Sequence, residues 1–406
     1  MKVGLDQERG NILIYFDSAA TSWPKPSKVW EAMEYCIKFV GANPGRSGHK
    51  MALEAGRLVD EARELLSVLF NIRNPDRIVF TLNATEALNL AIKGLLKEGQ
   101  HVITSTMEHN SVTRPLYVLE GKGVEVTKVA CAKDGSISIK DIESAIKPNT
   151  AAIVITHASN VTGTLMPISE IGQITKKKGL FLIVDAAQTA GVFDLDVSFM
   201  GINLLAFPGH KGLYGPTGTG GLYIDERLEL TPLKEGGTGS YSEVPGQPGV
   251  MPERFESGTV NSVGIAGLAA GLKFIRMEGL ERIRKHEMDL TKRFLEGVSS
   301  IKGIKLYGPE QLYNRAPVVS FSLEGKPAGK VGYMLDQQYK IACRAGLHCA
   351  PDAHRTLGTL EQRLVRFSFC YFNTEREVDF AIRSLSEIAE IPSGQFNKGE
   401  DKSCGC

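Results

Sequence analysis

The chain has 406 residues, of which 42% are hydrophobic, enough to build a sizeable core and to exclude a disordered chain. Its length exceeds the range that a single hydrophobic core usually serves, so we expect two domains. Lysine and arginine number 47 against 46 acidic residues, a net charge of +1. That balance supplies no field to recruit nucleic acid or a membrane surface, so the expected ligand is a small molecule.

No segment predicts export or membrane insertion. Residues 1–21 carry scattered charges before a short apolar run, unlike a signal peptide. No stretch reaches the roughly 18 uninterrupted apolar residues that a membrane helix needs. The seven cysteines are widely spaced, so we expect reduced thiols in a cytoplasmic protein. The exception is the pair Cys404 and Cys406 in the closing CGC.

Strand-like and helical stretches alternate in the first part of the chain. The strand-like runs are rich in β-branched or bulky residues, and residues 168–179 place isoleucines at helical spacing. This alternation predicts an α/β fold with a mostly parallel sheet wrapped by helices. Ligands bind such sheets at the carboxyl ends of the strands, so residues that follow strands are the first candidates for a site. The predicted strands are 101–105, 124–130, 151–159, 180–187 and 203–207.

The pattern changes after residue 261 and predicts a smaller α+β domain. Its helical patterns cover 262–277, 279–299 and 328–338, interrupted by the strand-like VVSFSLEG and followed by LVRFSFCYF. A last helix begins at Thr374, where TERE indicates a capping box. The N-terminal segment is expected to contribute to the small domain and to the site. The predicted division is a large domain over 1–261, a small domain over 262–391, and a flexible tail over 392–406.

Asp185 and Lys211 are the first candidate site residues. Asp185 ends an apolar strand-like run, where a carboxylate needs a cation or strong donors, and helix capping is an equally good interpretation of that residue alone. Lys211 follows His210 in the glycine-laden FPGHKGLYGPTGTGG. Glycines here would let the backbone approach a bulky ligand closely. A lysine amine that its surroundings deprotonate forms imines with aldehydes.

Nine motifs follow one another along the chain. They are, in order, DSAAT, NATEALN, EHNS, HASNVTGT, VDAAQ, GHK, ESGTVN, RAGLHCA and VRFSF with YFNT. Together they resemble the cysteine desulfurases of the class V aminotransferases, which have fold type I and use pyridoxal phosphate (PLP). The resemblance spans roughly residues 14–390, and it implies a large, seven-stranded, mostly parallel sheet.

The resemblance implies a role for each residue that would contact the cofactor ring. Lys211 would hold PLP as an internal Schiff base and then move the substrate Cα proton as general base and acid. Asp185 would pair with the pyridinium nitrogen, and Gln188 would donate a hydrogen bond to the phenolic oxygen. His109 would stack on the ring and take part in catalysis; without the other motifs it would be interpreted as a surface histidine near a helix start.

Phosphate recognition follows the family pattern with one departure. Ala84 and Thr85 open a helical stretch after a strand-like run, so backbone donors at that helix start form an anion site. The Thr85 hydroxyl and His210 would add to it. Pro208 stands where many relatives have a serine, and it offers neither a hydroxyl nor an amide donor. Thr259, in ESGT, resembles the threonine that reaches the PLP of the neighbouring subunit, which predicts a homodimer.

An amino acid substrate requires a site for its carboxylate. Arg366 emerges from an apolar strand-like run and would clamp that carboxylate through two parallel hydrogen bonds, the alternative being a purely structural buried arginine. Asn160 would lie near the cofactor oxygen and the substrate carboxylate. Ala19 and Ala20 resemble the small residues that line the site, and Arg344 belongs to the catalytic-loop motif.

Cys349 lies among small and polar residues, where a thiol that fills a core is not expected. It would attack the sulfur of bound L-cysteine, taking that sulfur as a persulfide and releasing alanine. His348 and Arg344 would favour the thiolate. A half-buried structural cysteine is the alternative on local sequence alone. RAGLHCA resembles the group II form of this loop, although Leu347 replaces a histidine common in that group.

These residues leave three interpretations. The first is a PLP-dependent cysteine desulfurase that passes persulfide sulfur to an acceptor protein or scaffold, such as one for iron–sulfur clusters. The second is a selenocysteine lyase or cysteine sulfinate desulfinase, for which Cys349 is less necessary. The third is a sulfur carrier or regulatory partner with a decayed site, which the presence of Lys211, Asp185, His109 and Arg366 opposes. Cys404 and Cys406 would accept sulfur or bind a thiophilic metal, unless they are an incidental terminal pair.

Overall fold

A computed structural model describes residues 13–45, 47–239, 242–243 and 245–392. Cys404 and Cys406, with the rest of 393–406, lie outside the described residues. The strands are β1 (Ile14–Tyr15), β2 (Ile78–Thr81), β3 (His101–Ser105), β4 (Glu125–Val129), β5 (Thr150–Thr156), β6 (Phe181–Asp185), β7 (Leu204–Pro208), β8 (Gly220–Ile224), β9 (Ile304–Tyr307), β10 (Val318–Leu323), β11 (Ile341–Ala342), β12 (Arg344–Gly346) and β13 (Leu364–Ser368).

Helices and strands are interspersed along the chain. They are α1 (Ser27–Tyr35), α2 (Lys50–Leu69), α3 (Ala84–Leu95), α4 (Asn110–Glu120), α5 (Ile139–Ser144), α6 (Ile168–Lys178), α7 (Ser262–Glu278), α8 (Leu280–Val298), α9 (Ala328–Tyr339), α10 (Pro351–Leu357) and α11 (Glu375–Glu390). A π-helical turn, Cys36–Val40, continues α1. None of the helices in the described part of the chain is long and apolar enough to cross a membrane.

The main sheet has seven strands in the order β2-β8-β7-β6-β5-β3-β4. Strand β8 runs antiparallel to both of its neighbours, and the other pairs are parallel. This confirms the predicted α/β fold class. Every residue of β3 and β7 is buried, because helices cover both faces of such a sheet, which explains continuous apolar runs in place of alternation.

Alternate residues of the strands feed two separate cores. On β6, Leu182 and Val184 join a core with α2 and α7, whereas Ile183 faces the core beside α3 and α4. This is the two-residue period of a strand, with each face covered. Side chains therefore pack against both faces of the sheet, and the sheet is a rigid support for the loops at its carboxyl edge.

The C-terminal part contains a four-stranded antiparallel sheet in the order β12-β13-β10-β9. A third core joins this sheet to α8, α9 and α11. The N-terminal strand β1 pairs in parallel with β11, so residues 14–16 lie against the C-terminal part. The capping box at Thr374 is confirmed. The division into domains at 261 and 391 stays a prediction.

Candidate active site

A cleft of about 800 Å³, open solvent included, lies at the carboxyl edge of the main sheet. It is bounded by the ends of β5, β6 and β7, the starts of α3 and α4, and two arginines of the C-terminal sheet. The sequence-predicted residues that line it are Ala19, Ala20, Ala84, Thr85, His109, Asn160, Asp185, Gln188, His210, Lys211, Arg344 and Arg366. One cavity thus gathers candidates from distant parts of the chain.

Asp185 ends β6 at the floor of the cleft and is 3% exposed. Its Oδ1 accepts a hydrogen bond from the Ala187 backbone N–H at 2.9 Å. Burial raises the pKa of this carboxyl, while the Ala187 amide and the Lys211 charge act in the opposite direction. A buried carboxylate with so few partners is set to receive a cationic or N–H donor from a ligand.

Lys211 lies in the loop after β7, and its side chain lines the cleft. Burial lowers the pKa of its amine to about 8. Nearby Arg366 and Arg344 also lower this pKa, whereas Asp185 raises it. Such an amine loses its proton near neutral pH more readily than an ordinary lysine. The neighbouring glycines serve the protein's own packing: a Cβ at Gly209 or Gly212 would lie within 2.5 Å of Thr219 or Ala190.

The starts of α3 and α4 meet at one end of the cleft. The Thr85 hydroxyl lies 2.7 Å from the Ser111 hydroxyl, and Ser111 Oγ lies 2.8 Å from His109 Nδ1. His109 Nδ1 also accepts the Ser111 backbone N–H at 3.1 Å, so the neutral ring carries its proton on Nε2. Burial and the nearby Lys211 charge lower the pKa of His109 to about 4. The imidazole is therefore uncharged.

His210, one of the residues predicted to bind the phosphate, has a ring nitrogen available to a ligand. Its Nδ1 is buried and has no hydrogen-bond partner among the described residues. Burial lowers the pKa of the ring to about 4. Pro208, which also lines the cleft, ends β7. A buried ring nitrogen beside a helix start suits an incoming polar ligand, because leaving it unpaired costs free energy.

Arg366 is buried, at 1% exposure, on β13, one of the two inner strands of the four-stranded sheet. Its Nη2 donates to Asp17 Oδ1 at 2.7 Å and its Nη1 donates to the Asn160 carbonyl at 3.1 Å. Its Nε has no partner among the described residues. Asp17 and Asn160 thus hold the guanidinium at the cleft wall, and part of its donor capacity is left for an anion.

Small residues and one amide line the opposite wall. Gln188 Nε2 donates to the Ala19 carbonyl at 3.2 Å, and the Ala19 N–H donates to Ser368 Oγ at 2.8 Å. The N-terminal segment is therefore tied to both β13 and the loop after β6. Because Ala19 and Ala20 carry only a methyl group, they leave room for a ligand.

Cys349 is partly buried at the edge of the cleft and is not among its lining residues. Arg344, which does line the cleft, donates from Nη2 to Cys349 Sγ at 3.3 Å. His348 and Cys349 both have positive φ angles, 52° and 56°, which are costly for residues with a side chain. Two hydrogen bonds hold this backbone: Asn160 Nδ2 to His348 O at 2.6 Å and Asn110 N to Cys349 O at 2.8 Å.

The predicted contribution of His348 to the thiolate is not supported. The ring is buried at 1% exposure, and burial holds its pKa well below the ordinary value, with nearby Arg366 acting in the same direction. An uncharged imidazole stacked on His354 at 5.7 Å supplies no positive charge. The cation next to Cys349 Sγ is Arg344.

Thr259 lies apart from this cleft. It is exposed, and its Oγ1 accepts a hydrogen bond from Asn43 Nδ2 at 3.2 Å. It lines a separate surface pocket with Glu86 and Gly218. Its predicted contact with a neighbouring subunit therefore stays a prediction.

Three polar residues of this region were not singled out from the sequence. Asp17 forms the ion pair with Arg366, Ser111 supplies a hydroxyl next to Thr85, and Glu108 is fully buried beside Asp185. The EHNS motif contains the last two, and a search for hydroxyls at helix starts would have found Ser111. No local pattern pairs Asp17 with a residue 349 positions away.

Comparison with known proteins agrees with this geometry. The aminotransferase class-V family model matches residues 14–380. A protein of Methanothermobacter thermautotrophicus named "Probable cysteine desulfurase" is 38% identical over 389 residues, which cover 93% of this chain and 94% of that protein. A cysteine desulfurase of Salmonella dublin is 33% identical, with coverage of 93% and 94%. The apo structure of a cysteine desulfurase from Thermococcus onnurineus NA1 has a TM-score of 0.88 at 35% identity, covering 93% and 95%.

The seven-stranded sheet, with a buried aspartate and a lysine at its carboxyl edge, defines fold type I, the fold of a large class of PLP-dependent enzymes. The chain belongs to the aminotransferase class-V family. The three relatives described above are all named as desulfurases of cysteine.

Proposed function

We propose that this protein is a PLP-dependent cysteine desulfurase, which converts L-cysteine to L-alanine and takes the sulfur on Cys349. One observation carries the proposal: Arg344 lines the cleft that holds Lys211 and Asp185, and its guanidinium also contacts Cys349 Sγ at 3.3 Å. This contact supports a role for the Cys349 thiol beside a cleft that would hold an aldehyde cofactor. An enzyme that only moved amino groups would have no use for that thiol.

The residues of the cleft fit pyridoxal phosphate. Asp185 offers a buried carboxylate, Lys211 an amine with a pKa of about 8, and His210 a buried ring nitrogen that has no partner in the described part of the chain. When bound, PLP supplies an electron sink that makes bonds to the substrate Cα and Cβ easier to break. Lys211 and Asp185 would hold its ring end, together with Gln188 and His109.

The phosphate would lie at the α3 start. Backbone N–H groups at Ala84 and Thr85 point toward the N-terminal end of the helix, where the helix dipole favours an anion. The hydroxyls of Thr85 and Ser111 and the ring of His210 would add side-chain contacts. These donors would take the place of the hydroxyl that Pro208 lacks.

The substrate carboxylate would bind Arg366. This guanidinium is already oriented by Asp17 and Asn160, so binding does not require ordering a long side chain. Ala19 and Ala20 would leave space for the amino acid. The Lys211 amine, with its lowered pKa, would take and return the Cα proton, because a base works best when its pKa lies near the working pH.

Cys349 would receive the sulfur. Its Sγ forms a bond to the substrate Sγ while the bond between that sulfur and the substrate Cβ breaks. The carbon skeleton keeps the electron pair of the broken bond, takes up a proton and leaves as alanine. Arg344, whose Nη2 donates to Cys349 Sγ at 3.3 Å, would hold the sulfur in position for this step. The persulfide sulfur would then pass to an acceptor protein or scaffold.

The experiment that tests this function measures alanine production from L-cysteine by the wild type and by the single variants Lys211→Ala and Cys349→Ala. Both variants should lose alanine production with cysteine. The same variants with selenocysteine separate the second interpretation, because a selenocysteine lyase would keep its turnover in Cys349→Ala. A sulfur carrier with a decayed site would give no alanine even in the wild type.

A homodimer is the proposed working unit, with Thr259 of each subunit reaching the PLP of the other. Large apolar side chains are exposed around α1, the π-helical turn and the start of α2. They are Trp30, Tyr35, Ile37, Phe39, Met51 and Leu53, between 46% and 63% exposed. Asn43, next to this surface, contacts Thr259. An exposed apolar patch of this kind is typical of a subunit interface.

A further inference from the structure

A second, smaller cavity lies on the other side of Lys211. It encloses about 380 Å³, open solvent included, and Lys211, Ser22, Tyr214, Glu287 and Cys370 are among its lining residues. This side of the lysine loop therefore borders a pocket that is partly open to solvent, and hydrogen bonds from Ser22 and Tyr214 hold its backbone.

The backbone at Lys211 is held by a short turn. Its carbonyl accepts the Tyr214 backbone N–H at 2.9 Å and the Ser22 hydroxyl at 2.8 Å. Tyr214, which closes this turn, has a φ of 57°, a conformation that costs free energy for a residue with a large side chain. Something must therefore hold Tyr214 in that conformation.

The Tyr214 side chain is anchored to the C-terminal part of the chain. Its hydroxyl donates to Glu287 Oε1 of α8 at 3.1 Å and accepts the Tyr371 backbone N–H at 3.3 Å. Phe274 and Phe372 pack edge-on against its ring. Tyr214 and Glu287 are 1% and 2% exposed.

A buried glutamate at this place is expensive. Burial raises the pKa of Glu287 to about 8, with the Tyr214 hydroxyl acting in the opposite direction. An apolar residue on α8 would avoid that cost but would leave the Tyr214 hydroxyl without its acceptor. The glutamate is therefore matched to Tyr214.

We propose that Glu287 is a positioning residue for Lys211, acting through the Tyr214 hydroxyl on the turn that Lys211 begins. The inference rests on the proposed function, in which Lys211 is the residue to which PLP would attach. It links α8, far along the chain, to the placement of the reactive amine.

The test measures how fast the full chain, freed of cofactor, attaches added PLP to Lys211, with borohydride fixation at timed intervals. Tyr214→Phe and Glu287→Leu should each slow attachment by about tenfold, the effect of one lost buried hydrogen bond. Glu287→Gln keeps an acceptor oxygen and should recover most of that rate. The double variant Tyr214→Phe with Glu287→Leu should be no slower than either single variant.

Tyr371→Phe is the matched control. It removes a tyrosine hydroxyl that donates to Glu278 at 2.6 Å in the same aromatic cluster, yet it should leave the attachment rate unchanged. Thermal unfolding of each variant shows whether it is folded.

Two results would overturn the inference while leaving the proposed function intact. The first is that Tyr214→Phe and Glu287→Leu attach PLP at the wild-type rate. The second is that Tyr371→Phe slows attachment as much as those two variants do, which would indicate general loosening of the aromatic cluster. A wild-type chain that takes up no PLP would overturn both the function and the inference.

Discussion

Arg344 and Arg366 are directly paired across the antiparallel strands β12 and β13, and each guanidinium has a different partner. Arg344 contacts Cys349 Sγ, whereas Arg366 is bound to Asp17. Both line the same cleft wall, and both lower the pKa of Lys211. Adjacent strands, about 5 Å apart in backbone spacing, thus place one guanidinium against the Cys349 sulfur and the other against the Asp17 carboxylate.

Arg344→Gln should reduce the reactivity of Cys349. The substitution removes the guanidinium that donates to Sγ at 3.3 Å, so a charge-assisted hydrogen bond to the sulfur is lost and alkylation by iodoacetamide at pH 7 should slow by about threefold to tenfold. The Cys349 peptide is followed by mass spectrometry. Arg355→Gln, which removes an exposed arginine on the nearby α10, is the control. Equal alkylation rates in wild type and Arg344→Gln would contradict the assigned role.

Arg366→Lys should raise KM for L-cysteine by about 10- to 100-fold, because a lysine cannot reproduce paired N–H donors in one plane. Steady-state alanine formation gives KM and kcat separately. The substitution keeps the charge, so the Asp17 carboxylate retains a cation nearby. An unchanged KM would show that the carboxylate binds elsewhere.

Glu108→Gln should change how stability depends on pH. Burial raises the pKa of Glu108 from 4.5 to about 8, with Ser105 and Thr156 hydrogen bonds acting in the opposite direction. Because the folded state binds the Glu108 proton more tightly than the unfolded state does, the protonated carboxyl favours folding. Its contribution to stability is fully present below pH 4.5 and is lost as the pH rises from 4.5 to about 8. The wild type should lose roughly 1.4 kcal/mol per pH unit relative to the variant over that window.

Denaturant unfolding at intervals between pH 5 and 9 measures this difference. Glu120→Gln, at an exposed position on α4, should follow the wild-type curve. Parallel curves for the wild type and Glu108→Gln would mean that Glu108 does not bind its proton as burial requires.

Phe39→Asp should weaken the proposed dimer. Phe39 is 63% exposed beside Tyr35, and a carboxylate in a buried apolar interface is costly. Analytical ultracentrifugation should show a dimer for the wild type and a shift to monomer for the variant. Phe199→Asp, at an 81% exposed phenylalanine elsewhere on the surface, should remain dimeric. A monomeric wild type would contradict the proposal.

Much of the fold could be predicted because strand and helix periods are local. The structure has strands at 101–105 and 204–208, within one residue of the predicted bounds, and a helix at 168–178. The antiparallel β8 was not predicted, because a short glycine-flanked run such as GGLYI carries no sign of strand direction. Strand order depends on crossovers that no local pattern records.

The site was predictable where a residue follows a strand or opens a helix, as Asp185 and Thr85 do. It was not predictable where function depends on a partner far along the chain. Asp17 binds Arg366 and Tyr214 binds Glu287 only because the fold brings them together. The neutral state of His348 also required the structure, since burial and not sequence position determines its charge.

The account depends on sulfur passing from bound cysteine to Cys349. The most direct measurement is mass spectrometry of the PLP-loaded chain after reaction with L-cysteine in the absence of reductant. The peptide containing Cys349 should be heavier by one sulfur atom, in step with the alanine released, and both products should be absent from Cys349→Ala. Alanine released by the wild type with no sulfur on Cys349 would contradict the account.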